Sequence, residues 1–391
     1  MLSLFKIKTL NKISPYGLDN FDQKYYTYGD DIENPDAVMV RSASMHEYEM
    51  PASLKAIARA GAGVNNIPVD KCSEAGIVVF NTPGANANAV KEMVVTGLLI
   101  SSRKVIPAID WARTLKGNGA EVGKLVEKGK GAFTGPEIHG KTLGVVGLGA
   151  IGILVANAAK ALGMEVYGYD PYLSVEAAWN LSSSINHAKS LKEIYNNCDY
   201  ITIHVPLNSE TRGMINDESI GSMKQGVRIL NFSRAELVVD GDIIKALETG
   251  KVSVYVTDFP TDEVLCTEGV IAIPHLGAST PESEDNCAVM AARELINFLE
   301  TGNIINSVNL PDVDMPKTTD SRICVIHKNI PNMLTQISGL VAQNNINIEN
   351  MINKSKKDYA YTVLDVTTEV SCELTEKITG IEGVIRVWVI K

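Results

Sequence analysis

The chain has 391 residues, too long for one ordinary domain, so two or three are expected. Hydrophobic residues make up 45% and charged residues 21%, the balance of a soluble globular protein with several packed cores. A net charge of −10 argues against nucleic acid or an anionic membrane as the main partner, so an anionic substrate would need a local cluster of cations.

The opening MLSLFKIKTL is too short, and too basic at its end, to read as a signal peptide, and no apolar run reaches transmembrane length. The six cysteines (Cys72, Cys198, Cys266, Cys287, Cys324, Cys372) are scattered, with no Cys-x-x-Cys pair. They read as reduced, mostly structural thiols of a cytoplasmic protein, and no metal is expected. Up to about Thr82, short apolar runs such as AVMV and IVVF alternate with helical pieces such as PASLKAIARAG, an α/β pattern. From NTPGANANAVKEMVV a long helical region follows, then the glycine-rich EKGKGAFTGPEIHGK.

The hexapeptide GLGAIG, Gly147 to Gly152, comes next. Alone, a Gly-x-Gly-x-x-Gly is weak, since 31 glycines make chance matches easy. Its context is what counts. The buried-strand run TLGVV precedes it, a helix ILVANAAKALG follows, and a second strand ends on Asp170, about twenty residues on. Gly147 permits the tight turn, Gly149 lets backbone approach a pyrophosphate, and Gly152 lets the helix pack on the strand. The pyrophosphate would sit at the helix N-terminus, and Asp170 would accept from the adenosine ribose hydroxyls. A carboxylate there repels a 2′-phosphate, and no Arg follows directly in DPYLS, which favours NAD over NADP.

Further strands read as YITIHVP, VRILNFS, VSVYVTDF and VIAIP, each ending on polar or turn residues where open α/β sheets bind ligands. After the helix ARELINFLETGN, the Pro/Asp/Thr-rich NSVNLPDVDMPKTTD looks like a linker. The remainder reads strand (RICVIH), helix (NMLTQISGLVAQNN), two strands (INIENMIN, YAYTVLDV), short helix and final strand (GVIRVWVIK). This is a ferredoxin-like βαββαβ unit.

Three charged residues follow strand ends: Arg234, Glu263 and His275. Singly, each is more often a surface or structural residue. In order, on consecutive strand ends of a nucleotide-binding sheet, they suit hydride transfer on a 2-hydroxy acid. A neutral His takes the hydroxyl proton, a carboxylate orients it, and an Arg forks the substrate carboxylate and polarises the C2 oxygen. His204, at the end of YITIHVP, reads as structural.

The segments RAGAGVNNI, NTPGANANAVKEM, GKTLGVVGLGAIG, YDPY, HVPLNSETRGMIN, NFSRAELVVDGD, PHLGAST and NSVNLP together resemble the D-2-hydroxyacid dehydrogenase family, over about Val38 to Leu310. The resemblance implies a Rossmann-type doubly wound parallel sheet over residues 83–284. It also implies a discontinuous flavodoxin-like substrate domain over 1–82 and 285–316, with the active site in the cleft between them and hinge closure on binding. It makes Arg234, Glu263 and His275 the catalytic trio, with Asp262 the second choice for the carboxylate, because Phe259 directly follows Asp258 where the family has Asp-Val-Phe. NAD would meet Gly147, Gly149, Ala150, Ile151, Gly152, Asp170, Val205, Pro206, Thr211, Phe232, Ser233, Asp258 and Gly277. Substrate would meet Arg41, Ser42, Ala62, Gly63, Val64 and Asn86, with Arg41 on a phosphate. Ala235 replaces the usual Gly after the catalytic Arg. Ala43 stands where some relatives carry a second Arg, which points to a further cation, such as those of WARTLKGNGAEVGK, contributed by a neighbouring subunit.

Residues 319–391 resemble an ACT regulatory domain, with His327, Asn329 and Asn347 matching positions that contact an L-serine effector and Asn332 replacing a common Gly. Together the resemblances imply NAD-dependent oxidation of 3-phosphoglycerate, the first step towards serine, by a feedback-regulated cytoplasmic homodimer or homotetramer. The alternatives are a glyoxylate or hydroxypyruvate reductase, a side activity on 2-oxoglutarate, or an NADH-sensing partner-binding protein.

Overall fold

The computed structural model describes residues 4–391, so the first three residues of the expected 1–82 segment lie outside the described residues. The chain forms two units, one of residues 1–86 with 281–391 and the other of residues 87–280.

The first unit opens with five parallel strands: β1 (Phe5–Leu10), β2 (Tyr26–Gly29), β3 (Ala37–Val40), β4 (Ala56–Arg59) and β5 (Val78–Phe80), in the order β2-β1-β3-β4-β5. That is the flavodoxin-like order. The sequence AVMV is apolar at every position because both faces of β3 are covered. Ala37 and Met39 face the helix Pro281–Thr301, through Ala288, Ala291, Leu295 and Phe298. Val38 and Val40 face the opposite way, onto Met45, Leu54 and Cys72.

The second unit carries seven parallel strands: β6 (Thr142–Val146), β7 (Glu165–Tyr169), β8 (Asn186–His187), β9 (Tyr200–Ile203), β10 (Val227–Asn231), β11 (Val252–Thr257) and β12 (Val270–Ala272). Their order is β12-β11-β10-β9-β6-β7-β8. The chain runs outward from β6 to β8, then restarts at β9 on the other side of β6. The carboxyl ends of β6 and β9 therefore flank the topological switch point. The expected doubly wound sheet is present, its two faces buried in separate apolar clusters.

The C-terminal part of the first unit is an antiparallel sheet of β13 (Ser321–Lys328), β14 (Ile348–Lys356), β15 (Tyr359–Val366) and β16 (Val384–Ile390), in the order β14-β15-β13-β16. Helices Met333–Gln343 and Cys372–Thr379 complete the βαββαβ order. They cover one face, on Ile323, Val325, Leu364 and Val366. The other face, through Cys324, Ile326, Tyr361, Val363 and Ile390, enters the same core as Ile7, Met39 and Phe298. Trp388 stacks on Tyr361 at 5.8 Å and meets Phe298 edge-on at 5.5 Å. A fully buried Arg322 forks Asp365, Nε to Oδ1 at 2.6 Å and Nη2 to Oδ2 at 3.0 Å. Its Nη1 donates to the Thr301 carbonyl at 2.7 Å, at the end of the helix Pro281–Thr301.

The stretch expected to be a linker is not a solvated spacer. Ser307, Asn309, Leu310 and Val313 are buried. Asn309 accepts from the Val79 N–H at 2.9 Å and donates to the Ile77 carbonyl at 2.9 Å, so its amide finishes the free edge of β5. Polar composition misled the reading because these amides serve backbone rather than water. No helix among the described residues is long and apolar enough to cross a membrane.

Candidate active site

Each parallel strand of the second unit delivers its next residues to one edge of the sheet. After β6 come the glycines. Gly147 has φ +90°, and a Cβ there would lie 2.4 Å from the His204 carbonyl oxygen, so both conformation and space require Gly. A Cβ on Gly152 would lie 1.9 Å from the Gly147 oxygen, which is how the helix Ala150–Ala161 closes on its own loop. A Cβ on Gly149 would meet nothing within 4 Å. The loop thus presents open space beside the first N–H groups of a helix, at Ala150 and Ile151, before intrahelical bonding starts with Ile153 N–H to the Gly149 carbonyl. That geometry fits an anion. Asp170, after β7, accepts from the Leu148 N–H and from the Tyr172 N–H, each at 2.8 Å. One carboxylate at the end of β7 therefore shapes the glycine loop.

After β9, His204 bonds Thr202 Oγ1 through Nε2 at 3.0 Å, and its buried Nδ1 has no partner among the described residues. Burial pushes its pKa down to about 3, so the ring stays neutral at physiological pH and does not cycle protons there. Val205 and Pro206 follow, with Thr211 Oγ1 donating to the Pro206 carbonyl at 2.6 Å. After β10, Phe232 is buried and Ser233 Oγ donates to the Ile203 carbonyl at 2.7 Å, tying two strand ends together.

Arg234, Asp258 and His275 follow three neighbouring strands, β10, β11 and β12. The Arg234 guanidinium lies over the Phe259 ring, 5.6 Å from its centroid. The His275 ring lies on the same Phe259, with centroids 4.4 Å apart. One aromatic plate therefore spaces an exposed cation and an exposed imidazole along the sheet edge. Behind them Asp258 is 1% exposed. Its Oδ2 accepts from the Gly277 N–H at 3.1 Å, an approach that a Cβ on Gly277, 2.9 Å from the same oxygen, would obstruct. Its buried Oδ1 has no partner among the described residues, and fits an amide donor from a ligand. Burial raises the Asp258 carboxyl, opposed by the Gly277 N–H and by the charges of His275 and Arg234. Glu263 and Asp262 are both exposed, and among the described residues neither makes a hydrogen bond or ion pair with His275. The structure brings Arg234, Asp258 and His275 together and leaves the carboxylate partner of the imidazole apart.

Sequence reasoning missed Asn231. It is fully buried, accepts from the Ser233 N–H at 3.1 Å, and donates to the Arg234 carbonyl at 2.8 Å and the Tyr255 hydroxyl at 3.3 Å. It sets the turn on which Arg234 stands. An Asn three residues before a strand-end Arg was the available signal.

In the first unit, the carbonyls of Ala62 and Gly63 are tied back by Asn81 Nδ2 and by Arg59 Nη1. The N–H groups of Ala62, Gly63 and Val64 donate to nothing among the described residues. Three successive free N–H groups make a nest for a carboxylate. Arg59 also donates through Nε to the Arg41 carbonyl at 3.1 Å, so it holds this nest and the Arg41 turn together. The N–H groups of Ser42 and Ala43 point at Asn11 Oδ1. The Arg41 guanidinium is paired with Glu284, both partly exposed. Asn86 is half-buried just before the helix Ala87–Ser102.

Of the three positions expected to meet an effector, His327 must be corrected. It is 2% exposed, with Nδ1 on the Lys328 carbonyl and Nε2 on Thr362 Oγ1, each at 2.8 Å. A strand histidine facing the sheet interior has no polar atom left to offer. Asn329 and Asn347 are exposed, donating to the Lys357 carbonyl and to Glu349. Asn332 has φ +70°, the conformation Gly would otherwise supply.

Residues 97–277 match the family model described as D-isomer specific 2-hydroxyacid dehydrogenase, NAD binding domain. A D-3-phosphoglycerate dehydrogenase of Haemophilus influenzae is 31% identical over 336 residues, 83% of this chain and 78% of that one. One of Bacillus subtilis is 34% identical over 324 residues, 80% of this chain and 58% of its own length. The chain thus spans little more than half of that relative, and 54% of one from Methanocaldococcus jannaschii. Among solved structures, a cofactor (NAD+)-bound 3-phosphoglycerate dehydrogenase of Entamoeba histolytica aligns with a TM-score of 0.60 at 26% identity, over 78% of this chain and 99% of that one. A glyoxylate reductase from Paecilomyes thermophila aligns with a TM-score of 0.63 at 24% identity, over 78% and 98%, a likeness of fold alone.

Proposed function

The chain belongs to the D-isomer-specific 2-hydroxyacid dehydrogenase family, and from that premise we propose that it oxidises 3-phospho-D-glycerate to 3-phosphohydroxypyruvate with NAD. The observation that carries this reading is the Arg234–Phe259–His275 row on neighbouring strand ends, backed by the open oxygen of Asp258. The glycine loop and Ala150–Ile151 N–H groups hold the pyrophosphate, Asp170 the adenosine ribose, and Asp258 Oδ1 the nicotinamide carboxamide. Bound there, NAD would supply the hydride acceptor for C2 of the substrate. His275 takes the proton of the C2 hydroxyl, and Arg234 steadies the substrate carboxylate and the C2 oxygen as it becomes a carbonyl. The N–H groups of Ala62, Gly63 and Val64 serve the carboxylate, with Asn86 and Ser42 beside the substrate. Arg41 exchanges Glu284 for the phosphate, with Arg59 as the cation at its back. Glu263 orients His275, with Asp262 the other candidate.

The decisive experiment is NADH oxidation by the purified chain with 3-phosphohydroxypyruvate, glyoxylate and hydroxypyruvate, with and without L-serine. The phosphorylated acid is expected to win by about 10- to 100-fold in kcat/KM, the value of a charge-assisted hydrogen bond of about 1.5–3 kcal/mol. Turnover of only the unphosphorylated acids would replace this reading with a reductase. No turnover at all would leave an NADH-binding partner protein.

Cofactor choice gives a second expectation. The wild type should prefer NADH to NADPH because Asp170 faces the ribose. Asp170→Ala should raise the KM for NADH about tenfold, for one lost hydrogen bond, and narrow the NADH-to-NADPH ratio. An unchanged ratio would remove Asp170 from the cofactor site.

The C-terminal βαββαβ fold fits an ACT domain with L-serine as its effector, held by Asn329 and Asn347 and lowering activity through a less active state. Suppression of turnover by serine supports it, and indifference to serine removes it. We also propose a homodimer or homotetramer in the cytoplasm, on the free cysteines and the exposed apolar residues Val105, Ile106 and Ile109.

A further inference from the structure

Within the first unit, a cavity of about 590 Å³ lies beside the helix Pro281–Thr301, and none of the residues assigned above lines it. The helix supplies Val289, Met290, Glu294 and Asn297, and the facing wall is Gly84–Ala85 with Ile305–Asn306. Glu294 is 7% exposed. Its Oε1 accepts from Asn306 Nδ2 at 2.8 Å, while its buried Oε2 has no hydrogen-bond partner among the described residues. Once ionised, a buried carboxyl with one unserved oxygen is costly, and a ligand that supplies the missing donor relieves that cost.

The charges around it select the sign of that donor. Asp312 adds negative potential at Glu294. Arg293, on the cavity rim, is exposed and engaged through Nε with Asn20 at 3.4 Å. Asn286 and Asn297 line the same space, with Asn297 Oδ1 already accepting from Thr301 Oγ1 at 3.0 Å. Burial, opposed by the Asn306 hydrogen bond and reinforced by Asp312, raises the Glu294 carboxyl to about 8, so it holds its proton at neutral pH.

We propose that this cavity binds a small primary amine, with its ammonium on the Glu294 carboxyl and its short apolar tail against Val289, Met290 and Ile305. An ammonium brings three donors and a positive charge favoured by Asp312 and by Glu294 once it is ionised, whereas an alcohol brings one donor and no charge. On binding near neutral pH, the Glu294 carboxyl releases its proton to solvent and the carboxylate pairs with the ammonium, so one proton leaves for each amine bound. Gly84 and Ala85 immediately precede Asn86, so occupancy reaches a loop the proposed reaction uses. That consequence rests on the reading of Asn86, and the binding itself does not.

The test is calorimetric titration of the full chain with n-butylamine hydrochloride, in two buffers of different ionisation enthalpy, with n-butanol as the neutral control. About one proton should be released per amine near pH 7, falling towards none by about pH 9.5, where Glu294 is already ionised. E294Q, which keeps an acceptor for Asn306, should abolish the heat. Met290→Trp, which fills the apolar end and leaves Glu294 intact, should weaken binding at least about tenfold by steric loss of the tail site. Equal binding of butanol, amine binding without proton release near pH 7, unchanged binding by E294Q, or no heat at tens of millimolar amine would each overturn the proposal.

Discussion

His275→Asn is expected to lower kcat by about 10²–10⁴-fold, the usual contribution of a positioned acid–base group. The reason is local. The His275 ring is exposed, it rests on Phe259, and it projects from the edge where β10, β11 and β12 end. Asparagine keeps polarity and much of the contact with Phe259 but cannot take a proton from a hydroxyl. Because the residue is exposed, the change should leave the thermal midpoint within the small range typical of surface substitutions. The KM for NADH should also hold, since the glycine loop and Asp170 are untouched. Steady-state kinetics in both directions, with a thermal melt of the same sample, checks both halves. Turnover within about threefold of wild type would remove His275 as the base, because a group supplying 10²-fold or more cannot be lost so quietly.

Arg322→Ala should destabilise the first unit by about 3–5 kcal/mol, the cost of breaking a buried pair and leaving one charge alone. Arg322 and Asp365 are both fully buried. Thr318 adds two hydrogen bonds of 3.1 Å to the same Asp365 oxygen, so the carboxylate is well served only while the guanidinium is present. Burial by itself would raise the Asp365 carboxyl, and the Arg322 and Thr318 hydrogen bonds outweigh it and hold it below its ordinary value. A carboxyl depressed by folding contributes stability that is complete above its unfolded value of about 3.9 and lost as pH falls through the lower folded value. The wild-type pair should therefore hold through mild acid. In R322A the lone carboxylate is penalised, and its stability deficit should shrink as acid protonates Asp365. Urea unfolding followed by Trp388 fluorescence, with Trp111 and Trp179 of the other unit changed to Phe, reads the right region. A double replacement, Arg322→Met with Asp365→Leu, should recover most of the loss. A deficit under about 1 kcal/mol in R322A would mean that water reaches the pair.

The elements legible in the sequence were those written in short-range pattern. GLGAIG between a strand and a helix, with Asp170 about twenty residues on, states its geometry within one βαβ unit. The strand-end residues Arg234 and His275 were equally visible, because a parallel sheet sends every strand's next residues to one edge. Contacts made by single side chains across long stretches of chain left no local mark. Arg59 holding the Arg41 carbonyl and Asn309 finishing β5 are of this kind. Burial of charge was also hidden. Arg322 in RICVIH has the sequence look of a strand's solvated end, and only its partner on β15 explains how it enters a core. His327 failed the same way, since the resemblance made it an effector contact while its neighbours on the sheet satisfied both nitrogens.

The first unit is assembled from residues 1–86 and 281–391, with residues 87–280 inserted between them. During synthesis, β1 to β5 emerge before the inserted unit but cannot bury Ile7, Met39 and Phe80, whose covering helix Pro281–Thr301 and antiparallel sheet emerge after it. The inserted unit is contiguous and can fold while the ribosome is still working. The order of birth is thus the reverse of the order of completion. These strands wait, apolar side exposed, for residues translated after the inserted unit. Loop closure over so long a separation is slow, which makes this waiting sheet the segment most in need of chaperone shelter.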